Sequence, residues 1–105
     1  MSIIDAYLRA SAEHDTESVV ATFTPDATVT DEGVTHTGLD AIRQWRDSTS
    51  AEFQYKTTVL QTEELRPQTY LVTARVAGNF PGPPVTLKYQ FALRDGLIAD
   101  LTIAP

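Results

Sequence analysis

An acidic residue breaks into an apolar stripe in the first third of the sequence. In ATVTDEGVTHTG, residues 27–38, strand alternation places Asp31 on the same face as Ala27 and Val29, while Thr28 and Thr30 face the other way. A two-residue turn at Glu32 and Gly33 sets Asp31 opposite Val34 and Val29 opposite His36, with all four side chains on one side of the ribbon. A carboxylate and an imidazole then become diagonal neighbours. In apolar surroundings a carboxylate gains basicity by desolvation, and an imidazole beside it polarises a substrate or pairs with the acid. The structural alternative is equally open, with Asp31 accepting bonds from the turn backbone between Glu32 and Val34 and His36 serving the fold.

Composition narrows the chemistry. A chain of 105 residues, 42% of them hydrophobic, fits a single domain over residues 1–105 with one core. Its formal net charge of -6, with no basic stripe, argues against nucleic-acid and anionic membrane partners. There is no cysteine, so disulfides, thiolate nucleophiles and thiolate metal sites are excluded, and a reducing cytoplasm is permitted. The opening MSIIDAYLRASAEHD lacks the basic start and apolar run of a secretion signal, and no stretch approaches ~18 apolar residues. A soluble, unprocessed cytoplasmic protein is expected. The two histidines, His14 and His36, lack ligand spacing, and no phosphate loop or nucleophile elbow is present. No metal and no cofactor are expected.

The elements that must position Asp31 follow from periodicity. Ser2 with Asp5 forms a capping box for a helix over 3–13, with Ile3, Ile4, Tyr7 and Leu8 at helical spacing. Asp15 caps a second, short helix bearing Val19, Val20 and Phe23. Thr37 with Asp40 reads as another capping box, opening a third helix over 39–48 with Leu39, Ile42 and Trp45 on one face. Trp45 is expected to pack this helix on the sheet, with Arg43 and Arg46 on its solvated side. From Phe53 the period becomes two: Phe53, Tyr55, Thr57 and Val59, then Tyr70, Val72, Ala74 and Val76. PGPP at 81–84 interrupts, then Val85, Leu87, Tyr89, Phe91 and Leu93 alternate inward, followed by Leu97, Ala99, Leu101 and Ile103, which leaves Asp100 facing out. Helices followed by strands indicate an α+β domain with its helices on one face of the sheet. Val29, Ile42, Trp45, Phe53, Val72, Phe91 and Leu101 are the expected core.

The order α-α-β-β-α-β-β-β-β, together with FTPDATVTDEGVTHTGLDAIRQW, resembles the nuclear transport factor 2-like superfamily and in particular its SnoaL-like group. Phe23, Asp26 and Ala27 leading into the first strand, then Gly38, Ala41 and Ile42 opening the third helix, carry the likeness. It implies a cone, in which a strongly bent mixed β-sheet wraps around three helices and encloses an apolar pocket. Members include ketosteroid isomerase, scytalone dehydratase, limonene epoxide hydrolase, polyketide cyclases and proteins without catalysis, so fold does not choose the activity. By resemblance to the isomerases, Asp31 is the general base and Tyr7 the oxyanion donor. Tyr89 stands where those enzymes carry a second, acidic donor, so the pair here consists of two phenols. The Asp-Arg-Asp arrangement of the epoxide hydrolase is not found. The pocket walls implied are Val29, Trp45, Tyr55, Phe91 and Leu101, around a small apolar carbonyl compound. The other reading keeps Tyr7 and Tyr89 as ordinary core aromatics of a non-catalytic binding or dimerisation module.

The outer strand faces carry Leu71, Ala77, Ala92 and Ile98 among Thr73, Thr86, Lys88 and Gln90. Such a mixed surface suits a homodimer through the sheet, and the resemblance implies the same pairing.

Overall fold

The computed structural model describes residues 2–52, 55–78 and 83–105, without the side chains of 49–52 and 55. The elements are α1 (Ile3–Ala12), α2 (Thr16–Val20), β1 (Phe23–Asp31), β2 (Val34–Thr37), α3 (Leu39–Glu52), β3 (Tyr55–Arg66), β4 (Thr69–Gly78), β5 (Val85–Arg94) and β6 (Leu97–Ala104). One six-stranded sheet has the order β2-β1-β6-β5-β4-β3. All neighbours are antiparallel except β1 and β6.

Local chemistry sets most boundaries. The Ser2 hydroxyl accepts the Asp5 N–H at 3.1 Å and the Asp5 carboxylate accepts the Ser2 N–H, the reciprocal pair expected at the start of α1. His14 turns the chain at φ 55°, and Asp15 then caps α2 by accepting the Ser18 N–H and hydroxyl. Those two bonds hold the Asp15 carboxyl below the usual carboxylate range. At α3 the structure corrects the sequence reading by one residue. Thr37 completes β2 opposite Thr28, and Gly38, at φ 87°, provides the first helical carbonyl to the Ile42 N–H. The helix also runs past Ser48 to Glu52.

Strand register departs from simple alternation at bulges. On β6 the pairing jumps from Ala92↔Asp100 to Leu93↔Ile98, so Ala99 is an extra residue and the phase reverses before it. Ile98 is therefore fully buried, against the expectation that it faces outward; its N–H donates to the Thr22 carbonyl. Leu60 and Leu65 are the extra residues on β3. Bulges of this kind raise local twist, which suits a curved sheet.

The core fills the concave side: Ile4, Val19, Val29, Ile42, Trp45 and Phe91 are all buried, with Val72 and Leu101 among their neighbours. Phe53, also expected there, lies outside the described residues, as do Pro81 and Gly82 of the expected break.

Arg46 contradicts the sequence reading of a solvated face, since it is only 2% exposed. Its Nη2 donates to the Ser11 carbonyl at 2.9 Å, placing a guanidinium at the negative C-terminal end of α1. Arg43 is partly exposed instead and pairs with Glu17 of α2 at 2.8 Å and Asp40 at 2.9 Å. The Thr16 hydroxyl donates to Asp47 at 2.7 Å, so α3 is tied to both earlier helices.

On the surface, Arg94 pairs with Asp26, which also accepts the Thr24 hydroxyl at 2.9 Å. The Arg94 and Thr24 bonds lower the Asp26 pKa from its ordinary value. A carboxyl depressed by folding stabilises the native state above its unfolded pKa, near ~3.9, and that contribution is lost as pH falls through the folded value. Asp26→Asn is expected to flatten this part of the acid limb of stability measured by urea denaturation between neutral and low pH. A limb parallel to the wild type would show that the pair contributes nothing.

Candidate functional site

Asp31 ends β1, and the chain reverses immediately through Glu32 at φ 54° and Gly33 at φ 77°. Both turn residues are left-handed, which matches the twist of a two-residue hairpin and fixes the pairs Asp31↔Val34 and Val29↔His36. The diagonal relation of Asp31 and His36 follows as expected.

The sheet register extends this hairpin into rungs. Asp31 pairs with Ile103, Ile103 with Tyr89, Tyr89 with Val72 and Val72 with Thr62. Asp31 and Tyr89 are thus on one rung two strands apart, roughly 10 Å along the sheet. The neighbouring rung carries His36, Val29, Leu101, Phe91 and Tyr70. The β1–β6 parallel pair brings the start of the chain's sheet against its end, and so brings Asp31 toward Tyr89.

Above Asp31 lies α3. The Trp45 Nε1–H donates to Asp31 Oδ2 at 3.0 Å, and the indole lies 6.1 Å from the His36 ring, centroid to centroid, at a tilt of 37°. Asp31 is half-buried and Trp45 is buried. Asp31 Oδ1 has no hydrogen-bond partner among the described residues. One carboxylate oxygen is held by a neutral donor, leaving the other to receive a proton.

The two phenols meet through Phe91. Tyr7, 2% exposed, packs edge-on against Phe23 at 5.9 Å and Phe91 at 5.6 Å, whereas Tyr89 stacks on Phe91 at 6.5 Å. Val29, Phe91 and Leu101 are fully buried beneath them. The Tyr55 side chain lies outside the described residues, although its backbone pairs with Gly78. Asp100 sits on the opposite face, accepting the hydroxyls of Thr28 at 2.5 Å and Thr102 at 3.4 Å.

Among the described residues no group of three or more His, Asp or Glu side chains is placed to hold a metal ion. No described helix is long and apolar enough to cross a membrane.

Sequence reasoning gave Trp45 a packing and pocket-wall role and missed its bond to Asp31. No periodicity reports a contact between a hairpin and the second turn of the following helix. The burial of Arg46 did have a signal: it follows Leu39 by seven residues and Ile42 by four, on the apolar face, and its charge obscured that spacing.

A family model described as SnoaL-like domain matches residues 4–101. A candidate polyketide cyclase from Sinorhizobium meliloti is 40% identical, with a TM-score of 0.90 over 97% of this chain and 93% of its own. A protein of ketosteroid isomerase-like fold from Catenulispora acidiphila, solved with trimethylamine, is 20% identical, with a TM-score of 0.85 over 98% of this chain and 84% of its own. SalBIII, an epoxide hydrolase/cyclase-like enzyme with a role in pyran ring formation in the polyether salinomycin, is also 20% identical, with a TM-score of 0.83 over 96% of this chain and 85% of its own. The last two show the fold alone. No curated protein matches the chain.

The Trp45–Asp31 bond is testable as an energetic coupling. Trp45→Phe and Asp31→Asn are each expected to cost about 1–3 kcal/mol in urea denaturation, less than the roughly 3–5 kcal/mol of Trp45→Ala. The double variant should fall short of additivity by at least about 0.5 kcal/mol. Strict additivity would mean that the two side chains do not interact in solution.

Proposed function

Because the chain belongs to the SnoaL-like domain family, we propose that it catalyses cofactor-independent proton transfer on a small apolar carbonyl compound. The reaction is of isomerase, cyclase or dehydratase type, and Asp31 is its general base. The observation that carries this reading is the Asp31 carboxylate, half-buried at the end of β1, with Oδ2 fixed by Trp45 and Oδ1 without a partner among the described residues. The 40% identical candidate polyketide cyclase supports the same class.

In the proposed step Asp31 takes a proton from the carbon beside the carbonyl, and the C–H electrons move into an enolate whose charge develops on oxygen. Tyr7 and Tyr89 would donate hydrogen bonds to that oxygen, and His36 would polarise the substrate from the hairpin side. Trp45 would hold the base in one orientation. Val29, Trp45, Tyr55, Phe91 and Leu101 would form the apolar wall that excludes water. All of this uses side chains of the protein alone and suits a cytoplasmic enzyme that binds neither nucleic acid nor membrane.

A second reading draws on the same Trp45–Asp31 bond, which also fastens α3 to the β1–β2 hairpin. In that case the domain binds a small apolar molecule without transforming it. The two readings part on a probe that needs only a base. In 5-nitrobenzisoxazole, removal of the C3 proton turns the C–H electrons into a nitrile bond and breaks the N–O bond, releasing a coloured phenolate. The protein should accelerate this above an equal concentration of acetate, and Asp31→Asn should lose about 100-fold or more with its folded state intact. Equal rates for Asp31→Asn and wild type would leave only the binding reading.

We further propose a homodimer through the outer sheet face. Leu71, Ala77 and Ala92 are only partly buried there, beside Thr73 and the exposed Thr86, Lys88 and Gln90. Two-fold pairing would cover each patch with its own copy. Light scattering at micromolar concentration should give the mass of two chains, whereas one chain's mass, unchanged on tenfold concentration, would refute the dimer.

A further inference from the structure

The sheet ends on β3. Among the described residues this strand pairs with β4 alone, so its far side presents backbone N–H and C=O groups with no strand beside them. Such edges are kept from pairing by shortness, a proline or a covering element. β3 has 12 residues and no proline, and it is exposed at every position from Thr58 to Arg66. The opposite edge, β2, has only 4 residues. Of the large hydrophobic side chains exposed among the described residues, Val59, Leu60 and Leu65 all lie on β3, with Val59 at 45% and Leu60 at 50%.

We propose that β3 is a docking edge for a second copy of this chain, the two strands running antiparallel about a two-fold axis between Val59 and Leu60. Face and charge select this occupant and this register. Opposed side chains in an antiparallel pair share a face. In a regular strand, an axis between two residues would oppose positions an odd number apart, which face opposite ways. The bulge at Leu60 removes that conflict. Lys56 and Glu63 both lie on the outer face, paired with Ala77 and Leu71. Thr57 and Thr62 both lie on the concave face, paired with Val76 and Val72, and Thr58 and Gln61 return to the outer face with Arg75 and Thr73.

The register therefore sets Lys56 against Glu63 of the second copy, Thr57 against Thr62, Thr58 against Gln61 and Val59 against Leu60. These are an ion pair, a hydroxyl pair, a hydroxyl with an amide and an apolar pair, and the two-fold axis makes each of them twice. Neither Lys56 nor Glu63 has an ion-pair partner among the described residues. Moving the axis onto Leu60 would oppose Lys56 to Glu64, which lies on the concave face with Tyr70, so the faces would no longer match. The pairing is closed, since it uses up the only long edge of each sheet. It depends neither on the chemistry of Asp31 nor on the outer-face dimer, which uses a different surface.

The test is amide hydrogen exchange of the full chain, followed by NMR while its concentration is raised roughly 100-fold. Alternate amides between Lys56 and Glu63, those not bonded to β4, should gain protection with concentration. Lys56→Glu and Glu63→Lys should each weaken this association about fivefold or more by opposing like charges, and the double variant should restore it to within about twofold. Leu60→Lys, which brings two cations together at the axis, should abolish it. Protection that does not change with concentration, or a double variant no better than either single reversal, would overturn the edge pairing. A two-chain mass by light scattering without protection on β3 would also overturn it, while leaving the outer-face dimer standing.

Discussion

The hydrogen bond from the Trp45 indole to the Asp31 carboxylate is the contact on which the rest of the candidate site depends. It joins two elements whose positions are set separately. Asp31 is placed by a tight turn at the end of β1, whereas Trp45 is placed by a helix that starts at Gly38 and packs on the hairpin it has just left. A half-buried carboxylate needs a donor, and a buried indole N–H needs an acceptor, so each resolves the cost of burying the other. The result is an acid with a fixed orientation on the concave side of the sheet.

The helices then keep α3 in place. Arg46 reaches the carbonyl end of α1, and Arg43 and Asp47 engage α2, so the residues flanking Trp45 bind both earlier helices. The Arg43 pairs are partly exposed and contribute little on their own. Arg46 differs, because its guanidinium is buried and removing it would leave the α1 terminus without that donor. Through α1 the same fastening bears on Tyr7, which packs on Phe91 opposite Tyr89. The Asp31 carboxylate and the two phenols are therefore held by one helical layer against one sheet.

Much of this was legible in residue order. The Ser2–Asp5 box, the Asp15 cap, the Glu32–Gly33 turn and its register, and the inward stripe of β4 and β5 all arise from local rules, and the structure follows them. Ile98 escaped because a bulge at Ala99 reverses alternation without leaving a mark in the pattern. Arg46 escaped because a charge was given more weight than its spacing from Leu39 and Ile42. The Trp45–Asp31 bond depends on how a helix sits over a hairpin, a tertiary fact that neither segment encodes alone. Family membership fixes the architecture that brings them together, while the chemistry rests on the individual side chains.

The chain contains one tryptophan, so a single indole resonance reports on the candidate base. The most direct measurement follows the Trp45 Nε1–H cross-peak by NMR while 2-naphthol, an apolar phenol resembling a bound enol, is titrated into wild type and Asp31→Asn. The expected result is a saturable displacement in the wild type that is lost or much reduced in Asp31→Asn, because the ligand enters beside a carboxylate already bonded to that indole. A cross-peak that stays still while amides elsewhere shift to saturation would place ligand binding away from Asp31 and contradict its role as the base.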